Sequence, residues 1–234
     1  MVQTIFVFLI SDSLSACCGL LFLLAEPAAL LAVAALGLVS GGDVPGGLGH
    51  SVGVKVDAHF GRGVAHLIKE GMNVALDAGT TCCAIAKKLA DASCRCTVIT
   101  YSLPVANALV HCEHIEVFLM AGRLDKKHES FHDDVAVEAM KRMNSDVFFL
   151  SPNGIDPIAG ITSSATDENI MKRMMHEHAE ETIVCADHSK FFKKAFKTIC
   201  QLSDIKGILS DSELSGEIQQ RYSSMGVRLY LAEK

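Results

Sequence analysis

The first 54 residues of this 234-residue chain contain no lysine and no arginine, and all 21 basic residues lie from Lys55 onward. A segment without positive side chains cannot neutralise phosphates, so this lack excludes a nucleic-acid-binding surface there. It also excludes the charged start of a secretory signal peptide. The formal net charge of −6 excludes a chain that is basic overall. Residues 1–54 and 55–234 are therefore two compositional parts, which we treat separately.

Charged residues are almost missing from a long apolar run over residues 14–39, which is long enough to cross a bilayer. Glu26 and Pro27 at its centre disfavour a membrane span, because a carboxylate is costly in lipid and proline kinks a helix. Six glycines and one proline over residues 40–53 predict a flexible linker. Three interpretations of the apolar run stay open: a membrane or secretory segment, a buried pair of apolar helices, and a start region foreign to the natural protein.

The cysteines lack the spacing of a disulfide framework. Their odd number, nine, predicts a reducing compartment, and we expect a cytoplasmic protein. Two closely spaced pairs lack the two-residue spacer of a zinc site, namely Cys82 with Cys83 and Cys94 with Cys96. We therefore expect these cysteines to be small buried side chains.

Two histidine clusters are rich in metal-ligating side chains. One consists of His128, His132, Asp133 and Asp134, and the lesser one of His176 and His178. A solvated polar loop or helix face is the favoured interpretation, because neither cluster has a second ligand group at the right spacing. We predict no metal and no cofactor.

From Lys55 onward, apolar segments typical of buried strands alternate with amphipathic segments typical of helices. We predict strands over residues 72–76, 97–100, 115–120, 147–150, 182–186, 207–209 and 227–231. We predict helices over residues 57–70, 82–90, 103–110, 133–143, 167–181 and 212–225. Apolar strands that alternate with helices build parallel sheets covered on both sides. The expected fold class is α/β, with an open, mainly parallel sheet and helices on both faces.

Polar and glycine-rich residues follow five of the predicted strands, and ligands of such sheets bind beyond the carboxyl ends of the strands. In the sequence DAGTT, Gly79 lets the backbone approach a ligand, while Thr80 and Thr81 offer hydroxyls where a helix begins. This arrangement suits a phosphate. An ordinary threonine N-cap on a tight turn is the competing interpretation.

The later strand ends have similar alternatives. Lys190 would add an ammonium to the same edge of the sheet, or it is a solvated surface lysine. Asp187 and Ser189 beside it would bind sugar hydroxyls or orient the lysine. Gly154 and Asp156 follow another strand, where an ordinary Asx or type I turn is the alternative.

These segments occur in the order typical of one bacterial protein family. The segments are DAGTT (77–81), VITYSLPVANAL (98–109), AGRL (121–124), DVFFLSPNGIDPIAGIT (146–162), DENIMKRMM (167–175) and ADHSKF (186–191). Residues 55–234 resemble the C-terminal effector-sensing domain of the DeoR repressors of sugar metabolism. The resemblance implies a fold similar to ribose-5-phosphate isomerase, glucosamine-phosphate deaminase and the coenzyme A-transferases. It also implies a homo-oligomer that senses a phosphorylated sugar or related metabolite without turning it over.

The resemblance also implies the residues of the effector site. Asp77, Gly79, Thr80 and Thr81 would hold the phosphate, and the rest of the pocket would be lined by Ser102, Arg123, Gly154, Asp156, Asp187 and Lys190. Three positions depart from the family pattern: Tyr101 replaces the usual asparagine, Ala121 a glycine, and the His132–Asp133 region another glycine. These changes would alter which effector fits, or weaken its binding.

The N-terminal part departs most from the family. DeoR repressors begin with an arginine-rich winged helix-turn-helix that reads operator DNA, and residues 1–54 contain no such module. A frame or start-site error upstream of the linker is one hypothesis for this difference. We expect a sugar-sensing transcriptional regulator, most simply a repressor. A sugar-phosphate isomerase on the same fold and a membrane-tethered binding module that uses residues 14–39 are the alternatives.

Overall fold

A computed structural model describes residue 64 and residues 67–164 and 168–232. The apolar segment, the linker and most of the helix predicted over residues 57–70 lie outside this part of the chain. Within it, no helix is both long enough and apolar enough to span a membrane.

The described residues form twelve strands and five α-helices. The strands are β1 Asn73–Leu76, β2 Cys96–Thr100, β3 Ile115–Leu119, β4 Leu124–Asp125, β5 Ser130–Phe131, β6 Ser145–Leu150, β7 Gly154–Asp156, β8 Gly160–Ser163, β9 Ala179–Cys185, β10 Lys197–Cys200, β11 Gly207–Ser210 and β12 Leu229–Leu231. The helices are α1 Thr80–Asp91, α2 Leu103–Leu109, α3 Asp134–Met140, α4 Glu168–Glu177 and α5 Gly216–Ser224. Two short 3₁₀ helices span His188–Lys190 and Leu202–Asp204.

Seven strands form one sheet in the order β12-β11-β9-β6-β1-β2-β3. Every pair in it is parallel. The chain runs outward from β1 to β3, then returns to β6 on the other side of β1. The winding direction therefore reverses between β1 and β6, and the crevice outside their carboxyl ends is where such sheets bind ligands.

Helices cover both faces of this sheet. Along β1, Val74 and Leu76 join the buried cluster that holds α1 and α2, while Ala75 joins the cluster that holds α3, α4 and α5. Successive side chains of a strand point to opposite faces, so one strand serves both layers. The prediction of an open, mainly parallel α/β sheet with helices on both faces is confirmed.

Several predicted helix boundaries were wrong. Residues 67–70 were predicted to be helical and are not, and the helix predicted over residues 133–143 ends at Met140. Two further boundaries differ by four residues. The helix predicted over residues 167–181 ends at Glu177, because Ala179 already pairs with Ser145 as the first residue of β9. The helix predicted over residues 212–225 begins only at Gly216, where the Ser215 hydroxyl caps it by accepting a hydrogen bond from the amide of Ile218. In both cases a contact outside the helical pattern sets the end of the helix.

Two small antiparallel sheets were not predicted. Strands β10, β8 and β7 form one, and β4 and β5 form the other. These strands are two to four residues long. Strands this short are held by cross-strand hydrogen bonds and carry too little alternation of polar and apolar residues to be read from the sequence.

Candidate functional site

Asp77 follows β1 at the point where the winding of the sheet reverses, and its carboxylate is completely buried. Oδ1 accepts hydrogen bonds from the amide of Ala78, at 2.8 Å, and from the hydroxyl of Tyr101. Oδ2 accepts from the amide of Ser151, at 2.8 Å, and from the ammonium of Lys172, at 2.5 Å. Four donors thus surround the carboxylate, which packs in the protein interior. One of these donors is the amide of Ala78, at the start of the loop that leads to α1.

Lys172 was missed by the sequence analysis. It belongs to α4, its side chain is only 3% exposed, and its ammonium also donates to the carbonyl oxygen of Ser151 at 3.1 Å. Lys172 is buried on the same face of α4 as Met171 and Met175. A lysine between two apolar positions of an amphipathic helix was the signal that could have revealed a buried ion pair.

Tyr101 explains one departure from the family pattern. Its ring is fully buried, and its hydroxyl reaches Asp77 from the end of β2. Burial and the nearby charge of Asp77 raise the pKa of Tyr101 well above its usual range. The phenol therefore stays protonated and donates to the carboxylate.

No side chain of the N-cap residue caps the first turn of α1, the helix that follows β1. Gly79 is its N-cap residue, with φ of 125°, a conformation that favours glycine, and it has no side chain to cap the helix. Thr80 and Thr81 are the first two helical residues, so neither threonine is the N-cap. The first turn contains no carboxylate to offset the positive end of the helix dipole.

A cavity of 540 Å³ opens beside this helix end. It is lined by Gly79, Thr80, Cys83, Ala84, Lys87, Lys88, Ser102, Pro104, His128 and Glu129. The helical part of the lining recurs every three or four residues, so one face of α1 forms a wall of the cavity. Lys87 and Lys88 were not predicted as site residues, although their spacing from Thr80 places them on the same face of α1. Of the predicted site residues, the cavity brings together Gly79, Thr80 and Ser102.

Ser102 also has a structural role in this wall. It is the N-cap of α2, and its hydroxyl accepts a hydrogen bond from the amide of Val105 at 3.4 Å. Its own amide donates to the Thr100 hydroxyl at 3.1 Å. These bonds hold the carboxyl end of β2 against the cavity.

Arg123 lies in a different cavity, of 320 Å³. The other lining residues are Leu124, Asp125, Lys126, His132 and Asp133. The carboxylate of Asp133 accepts a hydrogen bond from the Arg123 amide at 2.8 Å. It also accepts one from the Ala136 amide, and in this way Asp133 caps α3. A Cβ on Gly122 would lie 2.2 Å from this carboxylate, so a larger residue there would push Asp133 out of these hydrogen bonds. The structure thus separates Arg123 from the cavity at Gly79.

Gly154 and Asp156 have local structural roles. A Cβ on Gly154 would lie 2.3 Å from the carbonyl oxygen of Lys193, so only glycine fits this position in β7. Oδ1 of Asp156 accepts hydrogen bonds from the amides of Ile158 and Ala159, at 2.9 and 2.7 Å, and closes the turn between β7 and β8. These backbone bonds lower the pKa of Asp156. The turn that we weighed as the alternative is therefore present.

Asp187, Ser189 and Lys190 follow β9, which is separated from β1 by β6. Asp187 caps the short 3₁₀ helix by accepting a hydrogen bond from the Ser189 amide at 2.8 Å. Lys190 is half-buried at the end of this helix. These residues do not line the cavity beside Gly79.

His188, in the same short helix, predicts a pH-dependent stability. Its pKa is raised, first by the hydrogen bond to Asp211 and further by the charges of Asp187 and Glu213. The protonated ring therefore stabilises the fold fully below its unfolded pKa of about 6.5, and the contribution disappears as pH rises through the higher folded-state value. We expect His188→Gln to lower Tm more at about pH 5.5 than at about pH 9. Equal losses at both pH values would contradict this, and exposed His111→Gln is the control.

The family model described as DeoR C terminal sensor domain matches residues 58–212. The chain belongs to the DeoR family. An Escherichia coli K12 protein described as a transcriptional regulator of the sgc region is 34% identical to this DeoR chain over 165 residues, which is 70% of this chain and 63% of that protein. The HTH-type transcriptional repressor GlcR of Bacillus subtilis is 33% identical over 175 residues, which is 75% of this chain and 67% of GlcR.

The DeoR chain thus spans about two thirds of the length of these regulators. Among solved structures, ribose 5-phosphate isomerase A of Methanocaldococcus jannaschii has a TM-score of 0.43 at 15% identity. That alignment covers 59% of this chain and 54% of the isomerase. The family predicted from the six sequence segments is confirmed.

Proposed function

We propose that this DeoR domain senses a phosphorylated sugar or a related metabolite for a transcriptional repressor of carbohydrate genes. The observation that carries the proposal is the uncapped positive end of α1, which opens at Gly79 and Thr80 into the cavity of 540 Å³. A helix N-terminus attracts a phosphate through its amides and its dipole. The cavity volume is typical of small-molecule sites.

The side chains around this opening suit the two ends of a sugar phosphate. Lys87 and Lys88 line the wall that α1 forms, and the Lys88 ammonium already pairs with Asp91 at 3.3 Å. Charge-assisted hydrogen bonds to phosphate are stronger than neutral ones, so Lys87 is the stronger phosphate candidate of the two. Ser102, His128 and Glu129 on the facing walls offer donors and acceptors for sugar hydroxyls. In this proposal the phosphate binds beside Thr80 and the sugar extends toward Ser102.

Asp77 has a supporting role in the proposal. Its carboxylate is buried and already accepts four hydrogen bonds, so it holds the DAGTT loop from below and does not touch the effector. A carboxylate in contact with a phosphate would repel it. The positive charge of Lys172 balances Asp77 inside the domain.

Sensing is favoured over catalysis. An isomerase needs a carboxylate that can take a proton from the substrate carbon. Asp77 is buried, while Asp156 and Asp187 accept hydrogen bonds from backbone amides of their own turns. Among the residues that line the cavity, Glu129 is the single carboxylate, and the isomerase alternative would depend on it.

Regulation would work through a shift between two arrangements of the protein. An effector that binds one arrangement better increases its population, and operator affinity changes by that difference. Residues 1–54 contain no lysine or arginine, so operator binding by this segment is not part of the proposal. The homo-oligomer that the family resemblance implies stays a prediction.

We also propose that the domain works in the cytoplasm. The seven cysteines of the described part of the chain form no disulfide with one another. Cysteines without disulfides are typical of a reducing compartment.

Thermal stability measured with ribose 5-phosphate and glucose 6-phosphate tests the proposed function. A ligand that binds only the folded state raises Tm in a saturable way, so we expect at least one of these phosphates to do so. The unphosphorylated sugars should not, and neither phosphate should be converted. Turnover of either sugar phosphate would instead establish the isomerase alternative.

The variant Lys87→Gln should weaken binding of the active sugar phosphate by about 10-fold or more, because it loses one charge-assisted bond. Lys141→Gln is a matched control, since Lys141 is the exposed C-cap lysine of α3 and pairs with Glu138. Equal affinities in the two variants would remove Lys87 from the site.

A further inference from the structure

Two histidines of the β4–β5 hairpin meet on one carboxylate oxygen. Oδ2 of Asp125 lies 2.9 Å from Nδ1 of His128 and 3.2 Å from Nε2 of His132. One ligand atom from each of these three residues lies within 4.8 Å of the other two. The sequence places these histidines near Asp133 and Asp134, but Asp133 caps α3 and accepts the amide of Arg123.

A fourth group reaches the cluster from a distant part of the chain. Oε1 of Glu168, the first residue of α4, lies 3.7 Å from Nδ1 of His128. The side chains of His132 and Glu168 are only 8% and 12% exposed, whereas Asp125 and His128 keep 29% and 39% of their surface in solvent. The cluster is thus anchored in the protein on one side and open on the other.

The spacing of these atoms fits a metal ion. Zinc bonds to imidazole nitrogen and carboxylate oxygen are about 2.0–2.2 Å long, so neighbouring ligands of a tetrahedral ion lie about 3.4 Å apart. The separations of 2.9 and 3.2 Å between Oδ2 of Asp125 and the two imidazole nitrogens lie just below that value. Imidazole and carboxylate together suit zinc and other divalent first-row ions.

We propose that Asp125, His128 and His132 bind a divalent transition-metal ion of the zinc class, with the carboxylate of Glu168 next to His128 at the edge of the site. The ion would replace the two hydrogen bonds between Oδ2 of Asp125 and the histidine rings, while Oδ1 would keep the bonds that it accepts from the amides of Lys127 and His128. Each imidazole would then offer the nitrogen that faces Asp125 as a lone pair and carry its proton on the other ring nitrogen. Asp125 and His132 line the 320 Å³ cavity, which gives the ion a route from solvent.

A second cluster, Asp187, His188 and Asp211, has similar spacing but is a poorer site. It contains one histidine, and both carboxylate oxygens of Asp211 accept backbone amides, from His188 and Glu213. A metal ion would have to compete with those bonds, whereas the amides that Asp125 accepts reach Oδ1 and leave Oδ2 to the histidines. His188 therefore serves as a control.

Calorimetric titration of the full-length, chelator-treated protein with Zn²⁺ tests the proposal. We expect one ion per chain, and we expect His128→Ala and His132→Ala each to weaken binding by at least about 10-fold. The exposed His111→Ala and the second-cluster His188→Ala should bind as the wild type does. No binding by the wild type, or unchanged affinity in His128→Ala, would overturn the proposal.

Cobalt distinguishes this site from the cysteines. Bound Co²⁺ should show the visible spectrum of nitrogen and oxygen ligands, without the sulfur-to-metal charge-transfer absorption of a thiolate site. A thiolate spectrum that survives in His128→Ala would overturn the proposal. Circular dichroism shows whether each variant is folded. If the nearly buried His132→Ala fails to fold, the more exposed His128→Ala decides the outcome alone.

Discussion

Asp77→Ala should lower the free energy of unfolding by about 3–5 kcal/mol, because it leaves the ammonium of Lys172 buried without a counter-charge. The side chain of Lys172 is only 3% exposed, so bulk solvent does not reach its ammonium. The Tyr101 hydroxyl and the Ser151 amide lose their acceptor as well. Urea unfolding followed by circular dichroism measures the change.

An exposed ion pair is the matched control for the buried pair of Asp77 and Lys172. Asp91 pairs with Lys88 at 3.3 Å, but their side chains are 70% and 44% exposed. Asp91→Ala should therefore cost less than about 1 kcal/mol. The double variant Asp77→Leu with Lys172→Met removes both buried charges and should lose less stability than Asp77→Ala. Similar losses for Asp77→Ala and Asp91→Ala would show that the buried pair has no special role.

Gly79→Ala should destabilise the protein by about 1–3 kcal/mol and weaken binding of the active sugar phosphate by a factor of about 5–150. The cause is the backbone, since φ of 125° is a conformation that L-residues rarely adopt. The nearest atom that a new Cβ would meet, Oγ of Ser151, is 3.7 Å away. The strain would move the loop that presents the end of α1 to the phosphate. Urea unfolding and ligand titration measure the two effects.

Gly216→Ala is the matched control for this prediction. Gly216 is the first residue of α5, and a Cβ there would meet nothing within 4 Å. Alanine should be neutral there or stabilise the helix by up to about 1 kcal/mol, with no effect on sugar-phosphate binding. If Gly79→Ala behaves like Gly216→Ala, the backbone at Gly79 is not essential to the proposed site.

The main sheet was predictable because its strands are buried on both faces. A strand of this kind is a short continuous apolar run, as in residues 147–150 of β6 and 182–185 of β9. Such runs separated by amphipathic helices leave few arrangements other than a parallel α/β sheet. The start of β9 was missed because residues 179–181 include two glutamates and continue the polar pattern of α4.

The site was predictable in part. A glycine and two threonines directly after a buried strand indicated an anion-binding helix start, and the structure has an uncapped helix there. The roles of Asp77, Gly154 and Asp156 were not predictable. A carboxylate or glycine after a strand gives the same sequence pattern whether it contacts a ligand or packs in the interior. Lys190 as an effector ligand stays a prediction.

By itself, the sequence determined the fold class, the family and the position of the phosphate-binding candidate, because these depend on local patterns of apolar and glycine residues. Only the tertiary structure decided which polar side chains face each other. Asp77 meets Lys172 across 95 positions, and His128 meets Glu168 across the 40 positions that separate them. Such contacts depend on how helices dock onto the sheet, and no local pattern encodes them. Because residues 1–54 contain no lysine or arginine, we do not propose that this segment binds operator DNA.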